Sequence, residues 1–216
     1  MSPALGARLR AATGVLHRQA ERTPFMAALI AGRLDAHSYV LMLRNLEAIY
    51  AALEVGLLVH AKHPAIAPWM QPALFRAGPL QADLAALHGG DWQGGLTLVP
   101  ACERYIQRLR EIAGTDPALL AAHAYVRYLG DLSGGQILKS VVTRSLGLAP
   151  QAPGTAFYDF GTPQQAAALA QSLRSGLDQA QPAMPDTQAV VQEAVDAFEL
   201  HCELFGEMAA AGGTAT

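Results

Sequence analysis

"YLGDLSGGQILK", Tyr128 to Lys139, lies inside what otherwise reads as one unbroken helix from Pro117 to about Leu146. Three glycines, Gly130, Gly134 and Gly135, fall within six positions of it, with Asp131 and Ser133 between them. Each glycine in a helix interior costs roughly 0.5–1 kcal/mol relative to alanine. Gly130 and Gly134 are four apart and share a face, so together they bare a strip of backbone. Taken alone, that spacing favours close packing against a second helix. The third glycine, the polar Asp131 and Ser133, and Tyr125 and Arg127 just upstream fit a flat ligand lying against the helix. Asp131 also has a plainer reading, an i,i+4 pair with Arg127 worth about 0.3–0.5 kcal/mol when exposed.

Helical periodicity extends from this element in both directions. Leu5, Leu9, Ala12, Leu16 and Ala20 predict a first amphipathic helix that stops before Pro24. A short piece from Phe25 to Ala31 ends at Gly32. Asp35 is placed to cap a long helix from Ala36 to His60 or Ala61, with Leu43, Leu46, Tyr50, Leu53 and Leu57 on one face. Four prolines make "KHPAIAPWMQPALFRAGP" a loop or a set of turns. A helix near Leu80–Leu87 leads to "HGGDWQGG", which lacks the GK[ST] ending and preceding strand of a phosphate cradle. Pro100 starts a helix to Ala113, and Asp116-Pro117 opens the glycine helix. Pro163 to about Ala180 and a Thr187-capped helix to about Met208 complete an all-α chain without repeats.

Length and composition narrow the functional classes. The chain has 216 residues, 51% apolar and 15% charged, with a net charge of −3. That describes one globular domain over 1–216, with a core from about 5 to 208 and a flexible tail over 209–216. No basic block points to nucleic acid. No apolar run is long enough for a membrane anchor, and the N-terminus lacks the h-region of a secretion signal. Cys102 and Cys202 are a hundred residues apart, which suits reduced thiols in a cytoplasmic protein.

A second constellation is "LHRQAER", Leu16 to Arg22. His17 has Glu21 one turn later on the same side, where a carboxylate can orient an imidazole and strengthen it as a metal ligand. Arg10 lies two turns earlier, about 10 Å along the axis, able to meet a carboxylate of a ligand centred at His17. The plainer reading is a half-buried histidine beside a surface ion pair.

Taken together, "AHAYVRYLGDLSGGQILK" and "ATGVLHRQAERTPFM" resemble the two signatures of the heme oxygenase family. The order of "YAALE", "APWMQPALFR", "RYIQRLREI" and "AFELHCELFGEM" extends the resemblance from about Leu5 to Met208. It implies a single-domain multi-helix bundle that cleaves heme to biliverdin, carbon monoxide and ferrous iron. Dioxygen and electrons from a reductase or ferredoxin are then co-reactants. His17 matches the axial iron ligand and Glu21 the acid on its far nitrogen. Gly130 and Gly134 match the glycines where the distal helix passes over the heme, with Ser133 beside them. Asp131 matches the acid that organises distal water, with Tyr50 and Arg127 in its network. Arg10, Tyr125 and Arg174 match groups near the heme propionates, and Phe198 and Phe205 aromatic positions beside the macrocycle.

Two positions depart from the family pattern. Ala170 stands where a propionate-binding lysine is frequent, and His201 where an asparagine is frequent. The histidine brings a group that ordinarily titrates near neutral pH into the distal network. Two other readings compete. A heme carrier or sensor would need His17 but no water relay at Asp131. A thiaminase-like enzyme would need an activated cysteine, and neither Cys102 nor Cys202 has an evident activating partner.

Overall fold

The computed structural model describes residues 3–149 and 152–212. Its α-helices are α1 (Leu5–Glu21), α2 (Pro24–Ile30), α3 (Ala36–Val59), α4 (Ala77–Leu87), α5 (Trp92–Gly95), α6 (Pro100–Thr115), α7 (Leu120–Ser145), α8 (Pro163–Ala180) and α9 (Thr187–Ala211). Among the described residues there is no strand, and no helix is long and apolar enough to cross a membrane.

Local chemistry sets the helix boundaries. Asp35 caps α3 by accepting from Ser38 N at 2.7 Å. Thr162 and Gln165 form a reciprocal capping box on α8, with Pro163 in the first turn. Gly32, at φ 65°, ends α2 in the left-handed conformation that glycine adopts without a Cβ clash. The cap of α9 is Asp186 and not Thr187: its carboxylate accepts from Gln188 N and Ala189 N at 2.8 and 3.0 Å, and a carboxylate placed before the first turn outcompetes the threonine hydroxyl. Pro117–Leu119 is a 3₁₀ turn capped by Asp116, and α7 proper starts at Leu120. Part of the glycine-rich stretch, Trp92–Gly95, closes into one helical turn because Trp92 is buried there. α9 continues to Ala211, so 209–211 of the expected tail are helix; 213–216 lie outside the described residues.

The buried apolar residues form one continuous cluster, with Trp69, Tyr39, Tyr50, Tyr105, Tyr128 and Tyr158 its largest sealed side chains. α1 lies along α9, α3 packs on α4 and α6, and α7 packs on α8 and α9. The proline-rich loop after α3 is pinned from two sides. Trp69 Nε1 donates to Ala65 O at 2.7 Å, and Gly176 of α8 approaches so closely that a Cβ there would sit 2.6 Å from Pro68 O. This packing leaves α1, α2, α7 and α9 around a common space.

Candidate functional site

That space is a cavity of about 430 Å³, within the range of about 300–1,000 Å³ usual for small-molecule sites. His17 and Glu21 reach it from α1, Gly130, Asp131, Ser133 and Gly134 from α7, and Phe198, His201 and Phe205 from α9. Its remaining lining is mostly aliphatic and aromatic.

The glycines answer the question their cost raises. A Cβ built on Gly130 or on Gly134 meets no atom within 4 Å, so neither is there to admit a neighbouring helix. Both line the cavity and turn bare backbone to it. Gly135 also lines the cavity, but a Cβ there would make ordinary contact with the segment after α7, 3.5 Å from Tyr158 O.

His17 presents a half-exposed imidazole, with Nδ1 3.6 Å from Glu21 Oε1 and the ring edge-on to Phe198 at 6.0 Å between centroids. Among the described residues no hydrogen bond engages either ring nitrogen, which leaves the group free to take a metal. A neutral imidazole oriented by a carboxylate on one nitrogen is a common iron ligand through the other. The cavity's largely apolar lining and an imidazole without a hydrogen-bond partner among the described residues fit an iron macrocycle.

Asp131 is held from behind by Tyr50, whose hydroxyl donates to Oδ2, and Tyr50 in turn accepts from Arg127 Nε at 3.0 Å. Arg127 Nη2 lies 3.9 Å from Asp131 Oδ1, so the i,i+4 pair exists but is not an exposed one. Burial pushes the Asp131 carboxyl up from the usual range, against the pull of Arg127 and Tyr50. Burial likewise drives the Tyr50 phenol well above its ordinary value. An acid shifted toward neutrality, hydrogen-bonded on one oxygen and facing a cavity, is equipped to hold water and exchange a proton with it.

Arg10, Tyr125 and Arg174 do not line the cavity. They do come together: the Tyr125 phenol, raised by burial, is pulled back by a hydrogen bond with Thr13 and by both arginines. The arginines of α1 and α8 thus both bear electrostatically on the Tyr125 phenol of α7. Tyr50 is also set behind the lining. His201 lies in it, but does not behave as a histidine that titrates near neutral pH. Burial first, then Arg127 and His123, push its pKa well below the usual value, while the Ala197 carbonyl opposes them.

Several functional supports were not found by sequence reasoning. Phe157 and Tyr158 close the cavity from the segment after α7. That segment is held by Asp83, which accepts from Gly154 N, Ala156 N and Phe157 N at 3.0, 2.8 and 2.8 Å. Glu54, its pKa raised to about 7 by burial against the backbone N–H groups of Arg76 and Ala77, caps the start of α4. One signal was available: Asp83 and Glu54 both fall on the apolar faces of their helices, beside Leu80 and Leu84 and beside Tyr50 and Leu57. Cys102 is sealed in the core with its thiol pushed up to about 12 by burial, which removes it as a nucleophile.

Comparison with known proteins agrees with this geometry. The family model described as heme oxygenase matches residues 3–207. The chain is 38% identical over 205 residues to human Heme oxygenase 1, covering 94% of this chain and 71% of that one. It is 36% identical over 208 residues to Heme oxygenase 1 of a Nostoc species, covering 96% and 87%. Among solved structures, it is similar to heme oxygenase-2 of a Synechocystis species in complex with heme and NO, with a TM-score of 0.90, 33% identity and coverage of 99% and 88%. A heme oxygenase structure from Leptospira interrogans gives a TM-score of 0.86 at 33% identity, covering 95% and 100%.

Proposed function

The chain belongs to the heme oxygenase family, and from that premise we propose that it cleaves heme to biliverdin, carbon monoxide and ferrous iron, with a reductase or ferredoxin as electron donor. The observation that carries this reading is that His17 and the side-chain-free face of Gly130 and Gly134 open into one cavity. Bound heme is the substrate and supplies the iron at which dioxygen is activated.

His17 would hold the iron, with the Glu21 carboxylate 3.6 Å from Nδ1 placed to orient the imidazole. Gly130 and Gly134 would let bound heme lie directly against the α7 backbone, with no side chain between them. Asp131 anchors water in that space and passes protons through it; Tyr50 and Arg127 fix its orientation. Arg10, Tyr125 and Arg174 would serve the propionates, and the absence of a lysine at Ala170 leaves that side with one anchor fewer. Phe198 and Phe205 on α9 and Ser133 on α7 line the cavity and would border the macrocycle.

The test is a titration with hemin followed by a reductant under oxygen, with the visible spectrum and the mass of any bilin recorded. Loss of the heme bands with release of biliverdin is expected. A complex that stays red and returns intact heme would overturn the reading in favour of a carrier or sensor.

A further inference from the structure

His201 is 4% exposed, and both of its ring nitrogens face committed partners. Nδ1 lies 2.8 Å from Ala197 O, one turn earlier on α9, and Nε2 faces Arg127 Nη1. A carbonyl oxygen can only accept, and a guanidinium can only donate. The hydrogen must therefore sit on Nδ1 and the lone pair on Nε2, which fixes both tautomer and charge. The same logic runs onward. Arg127 Nε donates to the Tyr50 oxygen, so the Tyr50 hydrogen has one place left to go, Asp131 Oδ2.

The groups facing the ring from each packed element favour this state. From α6, the Tyr105 ring stands edge-on to it at 5.2 Å between centroids. From α7 come Arg127 and His123; the latter is turned away to Glu193 Oε1 at 2.9 Å and Tyr105 at 3.1 Å. On α9, Phe198 and Phe205 cover it at 6.3 and 5.8 Å. Glu193 is itself saturated by Arg108 at 3.0 and 2.6 Å. Among the described residues no carboxylate touches His201, so the Ala197 carbonyl alone favours a charge on it and burial and Arg127 oppose one. A second proton on Nε2 would set N–H against N–H between two buried cations.

We propose that His201 is a positioning residue: a neutral, Nδ1-protonated imidazole whose Nε2 anchors Arg127 and thereby sets the direction of the hydrogen-bond chain that ends on Asp131. This deepens the heme oxygenase reading and rests on it for its consequence in turnover. It does not rest on it for the state of the ring.

Two measurements test it. Nitrogen-15 NMR of histidine-labelled protein without heme reads the tautomer directly. Nδ1-protonated, Nε2-unprotonated shifts that stay constant from pH 5.5 to 8 are expected. An Nε2-protonated tautomer, or titration near 6.5, overturns the proposal. The second compares His201→Leu with His201→Asn in the heme-loaded protein. H201L removes the acceptor and is expected to slow biliverdin formation about tenfold, the scale of one charge-assisted hydrogen bond. It should also shift the pH of the spectral transition of ferric heme's water ligand. H201N keeps an acceptor oxygen and should restore most of both. Equal losses in the two variants, or no loss in either, overturn the proposal. Should H201L fail to fold, the ring tautomer and the H201N transition still decide. Wild-type protein that binds heme without forming bilin would instead remove the activity and leave the tautomer result standing.

Discussion

α1 and α7 both serve the cavity, but on different terms. The His17 and Glu21 side chains are each 51% exposed and 3.6 Å apart, a loose pair on an open helix face. Arg127 and Asp131 are 8% and 12% exposed and tied through Tyr50 and His201 into a chain with one direction. The α7 side is organised without any ligand, whereas the α1 side leaves its imidazole without a hydrogen-bond partner among the described residues. This division suits a protein whose substrate brings its own metal. Under the proposed roles, the α1 side can adapt as heme seats, while the α7 side must hold donors and acceptors where they will be used.

The largest effect belongs to the loose side. His17→Ala is expected to abolish the axial-histidine signature in electronic and resonance Raman spectra of bound heme. An unchanged spectrum would move the ligand to His123 or His201; the first is sealed from solvent and the second has its free nitrogen on Arg127. On the organised side, Asp131→Ala should leave hemin affinity nearly intact while cutting biliverdin yield by about 100-fold or more, the usual loss for a positioned proton donor. A normal yield would end the proton-handling role. Glu21→Gln should weaken heme affinity by about tenfold, as losing a ligand's orienting carboxylate does, with a smaller change in turnover of what is bound. If it instead cut turnover as deeply as Asp131→Ala, the contrast between the helices would fail. The smallest effect is the most diagnostic of why the glycines are there. Because no atom crowds Gly134, Gly134→Ala should raise the unliganded protein's stability by about 0.5–1 kcal/mol and still impair heme uptake. Thermal melts with and without hemin separate the two.

Elements whose information is local were legible in the sequence. Apolar periodicity located α1 and α3, Pro100 and Asp116-Pro117 the starts of α6 and of the turn into α7, and Asp35, Gly32 and Pro163 marked the start of α3, the end of α2 and the start of α8. The glycine helix and His17 with Glu21 could be read because their spacing places them on shared faces. The supports behind them could not, because their partners are remote main-chain groups. Asp83 serves N–H groups some seventy residues away, and its only advance notice was a charge on an apolar face. His201 was visible as a departure from family pattern, but its neutrality depends on Arg127 arriving from a different helix. Spacing along one element shows what shares a face, not what will be buried against it.

Arg76 shows where such hidden dependence is strongest. Its guanidinium donates to the carbonyls of Ala73, Leu74, Phe75, Phe157 and Asp159 and stacks on the Phe160 ring at 3.9 Å. A planar fork is doing the task of a staple, binding the turn before α4 to the stretch that ends in the cavity wall. Lysine carries the same charge but radiates its hydrogens from a single point, so it could not reach both strips of chain at once. Exchanging Arg76 would therefore loosen the cavity wall, although the side chain itself does not line the cavity.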